Sequence, residues 1–523
     1  MFEYWRNKLA KLIAPSKQPG ARSNQYLSRM YSMARPSRLT DGWGTSTTSE
    51  DAEVLTSLRA GRNRSRQLIR DAAYAKRAKA IVQNNVIGAG MGMQAKVMTS
   101  RNELNQRVND EIEALWETWM CAEYSHTGGA MHFNDQERMI VGQVFDTGEC
   151  FVREYNERFG NSPVPLCLEM IEAERVADEF YPGFVPNGHN VRLGVEMDAF
   201  YRAQAYYFHT LHPGETRLAP QQLSRVDRVP AELVHHLRVI ERWPQTRAMP
   251  WIHAAARKLN DMDGLTEAEI TAARGAACYM GFIESPDGED SFGTVQEDGT
   301  VQTELEPAMV QKLKAGEKFN FAAPNRPNSQ LDPFMRMMLR EVAAGVGCSY
   351  ESLSRDYERS NYSSSRLALL DDRDLWRMLQ SWYMRSYRLP LHKSWLRQAM
   401  LARQITSIPL ESYLANPAKF EAVCFKPRGW SWIDPTKEVE AYKEAVKSGF
   451  TTVTAVISQT GNGTDLEDVL NERRQELDAM AAKNLEFITD PTKELPPKTV
   501  TAPPATGKDK DDDPEAIERA WRL

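Results

Sequence analysis

The sequence of 523 residues predicts an α+β fold, in which a region of short strands precedes a region of long helices. Between residues 88 and 242, short β-type runs are separated by Gly, Pro and Asn turn signals. After Pro250, apolar residues instead recur at helical spacing, most clearly in residues 250–284 and 363–389. This change of periodicity indicates two structural regions that follow each other along the chain.

The first fifth of the sequence is basic and only partly periodic. Residues 1–14 form a short amphipathic basic segment that is typical of a docking arm, and residues 15–50 are rich in Ser, Arg, Pro, Gly and Thr. Residues 56–86 have apolar positions at helical spacing with basic residues around them. We expect one or two helices there.

The middle region contains four runs that read as strands. A single helix is predicted among them at 101–120, where apolar residues recur every three or four positions. The strand-like runs are 143–156, 164–176, 191–210 and 233–242.

The second half reads as a series of helices with clear punctuation. Asp332 is placed to cap a helix that has Pro333 at its first position and ends at Gly345. Pro390 lies inside a long helical pattern, which should kink or break there. A strand-like run at 419–430 precedes two further predicted helices, at 435–449 and 465–487.

An acidic insertion separates the first two of these helices. Residues 285–331 are rich in Gly, Pro and Asp, and no Lys or Arg occurs from Gly275 to Gln311. Its carboxylates lack the ligand order of an EF-hand loop, so a solvated or partner-facing acidic surface is the better interpretation. These carboxylates are Asp287, Glu289, Asp290, Glu297 and Asp298.

The overall composition excludes several classes of protein. The 71 acidic residues outnumber the 65 basic ones, so attraction to nucleic acid requires local patches. The six cysteines form no C-x-x-C pair, which argues against a zinc site or a disulfide framework and favours a reducing compartment. No apolar run approaches the length of a membrane span, so no membrane partner is expected.

No motif in the sequence predicts catalysis, a cofactor or a metal. The glycines Gly88, Gly90 and Gly92 have the wrong spacing for a dinucleotide site, and a strand-like run follows them. The pairs His209 with His212 and His235 with His236 lack matching Cys, Asp or Glu ligands, so structural or surface roles are favoured. Nucleophile-elbow, Walker and H-E-x-x-H patterns are absent.

The stretch 354–366, SRDYERSNYSSSR, places three arginines among hydroxyl and amide side chains just before a long helix. Arg offers a fixed fork of N–H donors and Ser or Asn adds adaptable ones, a combination suited to phosphate oxygens. A solvated surface loop is the alternative.

Four stretches together resemble the portal proteins of lambda-type tailed bacteriophages, over about residues 60–450. In chain order they are residues 62–94, 228–252, 259–283 and 343–373, and the last two are the most specific.

The resemblance implies a portal fold assembled as a cyclic ring, usually of twelve subunits, at one capsid vertex. Rings of twelve and thirteen bury nearly the same heterologous interface, so the subunit number stays open. The implied parts are an N-terminal arm, partly disordered (1–50); an α+β wing (51–249); stem helix 1 (250–284); a clip (285–331); stem helix 2 (332–345); a tunnel loop (346–362); a kinked long helix and return strand of the wing (363–425); crown helices (426–488); and a disordered tail (489–523).

The same resemblance implies a non-enzymatic role as conduit for DNA packaging and ejection. Its partners would be double-stranded DNA, the terminase, a head-tail adaptor, and the major capsid and scaffolding proteins, in a virion assembled in the host cytoplasm. The acidic clip carboxylates would face partners. The tunnel-loop residues facing DNA would be Arg355, Arg359, Asn361 and Arg366. The alternatives are another phage head or neck protein, or a DNA-processing enzyme whose acidic insertion binds magnesium.

Overall fold

The computed structural model describes most of the chain between residues 47 and 483. The described residues are 38, 42–45, 47–101, 103–180, 182, 185, 188–215, 225–278, 282–284, 294–295, 301–302, 318–320, 330–430, 435–460 and 466–483. The predicted segments 1–14 and 489–523 lie outside them.

Helices in the described residues are numbered here in chain order. They are α1 (Glu50–Asp71), α2 (Ala73–Val86), α3 (Gln106–Trp119), α4 (Ala122–Ser125), α5 (Phe133–Thr147), α6 (His253–Cys278), α7 (Leu331–Val346), α8 (Tyr350–Ser354), α9 (Tyr362–Tyr383), α10 (Leu389–Leu401), α11 (Leu410–Ala415), α12 (Pro417–Phe420), α13 (Pro435–Lys447), α14 (Val453–Thr460) and α15 (Leu466–Ala482). No helix among the described residues is long and apolar enough to cross a membrane.

Thirteen strands are described. They are β1 (Gly92–Ala95), β2 (Glu149–Tyr155), β3 (Cys167–Ile171), β4 (Asn190–Arg192), β5 (Val195–Met197), β6 (Ala203–His209), β7 (Val226–Pro230), β8 (Val234–Arg238), β9 (Phe282–Glu284), β10 (Thr294–Val295), β11 (Val301–Gln302), β12 (Lys318–Asn320) and β13 (Val423–Lys426). The sheet orders are β3-β2-β8 and β4-β5-β6-β7, with two-stranded pairs β1-β13, β9-β12 and β10-β11. The fold is therefore a mixture of helix and sheet, as predicted.

The chain divides into two compact units, each built from separate segments. The first unit contains residues 1–71, 144–151 and 171–257. The second contains residues 72–143, 152–170 and 258–523. The predicted span 51–249 therefore contributes to both.

The first unit has an apolar core under an antiparallel meander. Strands β4 to β7 pair in sequence order, and the register places Tyr206 opposite Val229 and Val195. Alternate residues of a strand share one face, so the inward apolar residues collect into one cluster. Its buried members are Phe151, Ile171, Ala173, Val176, Val195, Met197, Tyr206, Phe208, Val229 and Val234.

A buried carboxylate with three basic partners lies beside this core. Glu149 accepts hydrogen bonds from Arg62, from Nε of Arg247 at 2.6 Å and from Nε2 of His236 at 2.8 Å. Burial alone would raise the pKa of the Glu149 carboxyl, but Arg247 and Arg62 outweigh it and hold that pKa well below its usual range. His236 is therefore a hydrogen-bonded core residue, which agrees with the structural role predicted for it.

The second unit is centred on aromatic rings. Trp116 of α3 packs against Trp119, Phe133 and Trp395 with ring centroids 5.0 to 5.5 Å apart. The apolar spacing of α3 predicted this helix, and its buried face carries Val108, Ile112, Trp116 and Trp119.

One predicted strand begins as a helix instead. Residues 143–147 form the last turns of α5, and the strand β2 starts only at Glu149. The prediction was wrong because apolar residues in this run, such as Val144 and Phe145, also fit a helical period. Gly148 separates the two elements with φ +89°, and a Cβ there would clash with the Met249 carbonyl oxygen.

Helix boundaries near the loop shift by one or two residues from the prediction. The N-cap position of α7 is Gln330 rather than Asp332, and the helix ends at Val346 with Gly347 rather than Gly345 as its C-cap. Gly347 has φ +83°, the left-handed conformation that glycine adopts most readily after a helix.

Pro390 does not break the long helix. Residues Met384–Arg388 form a π-helical turn between α9 and α10, so helical structure continues from 362 to 401. A wider turn before proline accommodates the missing N–H donor and relieves the ring's clash with the preceding carbonyl. Near the C-terminal end, the described residues contain three helices, α13 to α15, where two were predicted.

His392 is a buried histidine in the aromatic core of the second unit. Its ring is 1% exposed, lies against Trp116, Trp395 and Phe425, and neither nitrogen has a hydrogen-bond partner among the described residues. Burial, and next the positive charge of Arg388, lower the pKa of His392 to about 4.

We expect His392→Phe to make the second unit less sensitive to acid. Because the folded pKa lies below that of the unfolded chain, His392 costs stability as pH falls from about 6.5 towards 4. Between pH 7 and pH 5 this loss is about 2 kcal/mol, which the variant should not show. Thermal unfolding at both pH values tests this, with His212→Phe, a 37% exposed site, as control. An unchanged pH dependence in His392→Phe would contradict the assignment.

Candidate nucleic-acid interface

The predicted arginine loop lies between two long helices of the second unit. Gly347 ends α7, the short helix α8 follows, and residues 355–361 connect α8 to α9. A Cβ at Gly347 would lie 2.7 Å from Cδ2 of Leu375, so glycine is required by space as well as by φ. The predicted tunnel loop therefore contains one helical turn.

A buried carboxylate anchors the start of α8. Asp372 of α9 accepts hydrogen bonds from the Ser349 amide at 2.8 Å, from the Ser349 hydroxyl at 2.7 Å and from the Ser352 hydroxyl at 3.1 Å. Burial raises the pKa of the Asp372 carboxyl despite these bonds. The contacts fix one end of the loop to the long helix that follows it.

Arg336 of α7 forms salt bridges with the acidic side chains of the loop. It lies 2.7 Å from Glu358, 3.4 Å from Asp356 and 3.0 Å from Asp332. The hydrogen bond to Glu358, and next that to Asp332, raise the pKa of Arg336. Asp356 also accepts a hydrogen bond from the Tyr350 hydroxyl at 2.7 Å, which lowers the pKa of the Asp356 carboxyl.

This pairing differs from the one that sequence neighbours suggest. The positions of Asp356 and Glu358 beside Arg355 and Arg359 predict local neutralisation of the two arginines. Instead both carboxylates form salt bridges with Arg336. The Asp356 carboxylate still attracts Arg359, so this arginine stays partly neutralised although it forms no salt bridge with a described residue.

Arg355 and Arg359 are exposed, and their side chains form no hydrogen bond or salt bridge with any residue that the structure describes. Arg355 holds the left-handed conformation at φ 58° and ends α8 through a bond from its amide to the Glu351 carbonyl. Burial, and next the charge of Arg355, lower the pKa of Arg77, whose guanidinium donates to the Ser352 carbonyl. Arg77 and Arg355 thus place two positive charges near each other at the end of α8.

Asn361 and Arg366 have different surroundings from these two arginines. Asn361 caps α9: its side chain accepts from the Ser364 amide at 2.8 Å, and the Ser364 side chain bonds back to the Asn361 amide. Arg366 is half-buried on α9 itself. The structure therefore leaves Arg355 and Arg359 exposed on the loop and gives Asn361 a structural role in starting the helix.

The sequence alone did not assign Asp332, Arg336 and Asp372 to this site. The spacing of Asp332 and Arg336 is the i,i+4 pattern of a helical ion pair, which could have indicated part of the cluster. The bonds of Arg336 to Glu358 and of Asp372 to Ser349 span 22 and 23 residues, and no local pattern signals them.

The second predicted set of site residues cannot be placed. Asp287, Glu289, Asp290, Glu297 and Asp298 all lie outside the described residues. Around them, strand β9 pairs with β12 and β10 pairs with β11, both antiparallel. The described residues contain no group of three or more His, Cys, Asp or Glu side chains arranged to hold a metal ion.

Comparison with known proteins supplies several similarities. The family described as phage portal protein, lambda family, matches residues 36–380. The probable portal protein of Halomonas phage phiHAP-1 is 27% identical over 479 residues, covering 89% of each chain. Portal protein B of Escherichia phage lambda is 21% identical, covering 83% of this chain and 86% of that protein. The portal protein of Escherichia phage N15 is 22% identical, covering 84% and 88%.

Among solved structures, a chain from the neck of a native gene transfer agent particle is 14% identical, with a TM-score of 0.41, covering 76% of this chain and 94% of that one. The family match spans well over half of the sequence and includes the loop arginines. The chain therefore belongs to the lambda family of phage portal proteins.

Proposed function

We propose that the protein forms a cyclic ring at one vertex of a phage capsid and serves as the conduit for DNA packaging and ejection. The single observation that carries this proposal is the family match over residues 36–380. The role is structural, and in it the chain positions DNA and partner proteins without covalent chemistry. The ring would belong to the virion and assemble in the host cytoplasm.

We propose that the arginine loop faces the DNA. The exposed guanidinium groups of Arg355 and Arg359 support this, because their neighbouring carboxylates are held by Arg336. Repetition around a ring would set circles of positive charge along a channel. Exposed ion pairs are worth about 1 kcal/mol or less each and are weakened by salt, so DNA would be guided without being held.

The acidic insertion at 285–331 is proposed as the docking surface for the terminase motor and later for a head-tail adaptor. Its charge supports this role, since no Lys or Arg occurs from Gly275 to Gln311. The short antiparallel pairs β9-β12 and β10-β11, of which β9 directly precedes the insertion, offer edges to which neighbouring chains could add strands. The major capsid and scaffolding proteins are the further proposed partners.

Ring formation is the first test. Twelve chains of 59.5 kDa would give a species of about 0.7 MDa, so sedimentation or mass photometry should show particles above about half a megadalton. Rings should also be visible by negative-stain microscopy. A stable monomer at micromolar concentration under every salt condition would refute the proposed function.

A further inference from the structure

An apolar groove runs between helices α13 and α14. Its volume is 390 Å³, and its lining is apolar except for two lysines along one side. The lining residues are Val439, Tyr442, Lys443, Val446, Lys447, Val453, Val456 and Ile457. A groove with this lining has the apolar character of the grooves that bind amphipathic helices.

The turn that joins these two helices extends the apolar surface. Gly449 has φ +75°, and the Phe450 amide donates to the Ala445 carbonyl, which closes a Schellman motif. In this motif the residue at the Phe450 position usually packs back on the helix. Here the Phe450 side chain is 86% exposed. The turn at Gly449 and Phe450 therefore leaves the apolar surface around the groove exposed.

Helix α15 carries an apolar face that could fit this groove. Its apolar residues recur at spacings of three and four along one face, and none of its residues is buried. Leu470 is 58% exposed, and Val469 is also exposed. This face consists of Leu466, Val469, Leu470, Leu477 and Met480, with Arg473 among them.

Charges on the two surfaces are complementary in sign and in spacing. Lys443 and Lys447 lie four residues apart on α13, along one edge of its apolar face. Glu472 and Glu476 lie four residues apart on α15, along one edge of its apolar stripe, and Glu476 bonds Arg473 at 2.9 Å within that helix. Residues four apart on a helix are stacked about 6 Å from each other, so the two pairs match in length.

We infer that the groove between α13 and α14 binds helix α15 of a neighbouring copy of this chain. This inference rests on the proposed ring. Within one chain α15 contacts α14, and Leu466, Leu477 and Met480 are half-buried, but the groove is open and Val469 and Leu470 stay exposed, so these surfaces remain for a second copy. A groove on one subunit and a helix on the next make a heterologous contact, which a closed ring satisfies without leaving either surface uncovered.

Charge reversal in the full-length chain tests the contact. Variant K443E/K447E has an acidic groove, and variant E472K/E476K has a basic α15. Each variant alone brings like charges together at the contact. We therefore expect its rings to dissociate at a protein concentration at least about tenfold higher than wild-type rings do. Mass photometry at low salt measures this concentration. Mixing the two variants before assembly should restore wild-type behaviour, because in alternating subunits the acidic groove meets the basic α15 and the unaltered groove meets the unaltered α15.

The mixture distinguishes a contact between chains from one within a chain. Recovery in the four-residue variant K443E/K447E/E472K/E476K but not in the mixture would mean that α15 docks on its own groove, which overturns the inference. Variants that form rings as stable as the wild type would also overturn it and leave the proposed function intact. A wild-type chain that forms no ring would refute the proposed function itself. The controls Glu444→Lys and Gln475→Lys, on the opposite helix faces, should leave dissociation unchanged.

Discussion

Replacing both Arg355 and Arg359 with alanine should leave ring assembly intact and reduce DNA packaging or retention by at least about tenfold. Both side chains are exposed, and neither is bonded to a described residue, so their loss removes no contact within the subunit. Each phosphate contact is weak, but a ring repeats it in every subunit and the losses accumulate. Packaged DNA can be measured by nuclease protection in an in vitro packaging assay, and ring mass by mass photometry.

Two matched variants separate charge from side-chain loss. R355K/R359K keeps both charges but not the guanidinium fork, and should retain most of the activity. R101A/R107A removes two exposed arginines from another part of the chain and should behave as the wild type. If R355A/R359A instead falls apart into monomers while surviving rings handle DNA normally, the arginines brace the contact between subunits. The phosphate interpretation then fails.

Local sequence patterns were enough to predict elements whose apolar residues are typical of a single kind of secondary structure. Helix α3 was predicted because its apolar residues recur at the helical period, and the β-type run 191–210 was predicted from its β-type residues, although it forms β4, β5 and β6 and not one strand. The long helix α6 and the pair of helices α1 and α2 were found in the same way. Family resemblance then pointed to the loop at 354–366, which the sequence alone leaves open between a phosphate site and a solvated surface.

The errors occurred where distant residues decide the outcome. Helix α5 was missed because its last residues, 143–147, were included in the predicted strand run 143–156. Gly148, fixed by the close approach of Met249, sets the boundary. The salt bridges of Arg336 with Asp356 and Glu358 were not predicted, because Arg336 lies about 20 residues before Glu358 in the sequence. No propensity scale contains such a pairing, since it depends on how α7 packs beside the loop.

The buried pair Glu137 and Arg388 should be the most sensitive point in the second unit. Arg388 lies at the end of the π-helical turn and is fully buried, with Nε 2.5 Å and one terminal nitrogen 2.6 Å from the Glu137 carboxylate. The same nitrogen donates to the Met91 carbonyl, and the Tyr383 hydroxyl donates to Glu137 at 3.2 Å. The Arg388 guanidinium also lies 5.1 Å from the ring of Phe133.

Arg388→Met should destabilise the second unit by about 3–5 kcal/mol, because among the described residues it leaves the buried Glu137 carboxylate with the Tyr383 hydroxyl alone as partner. At about 2–4 °C per kcal/mol, the midpoint of thermal unfolding should fall by about 10 °C. The double variant E137Q/R388M should recover much of this loss, since the glutamine introduced by E137Q is neutral and could still accept the Tyr383 hydrogen bond. If Arg388→Met alone has the same unfolding midpoint as the wild type, water reaches Glu137. Equal losses in the single and double variants would show instead that Arg388 acts through packing against the surrounding rings and not through its charge.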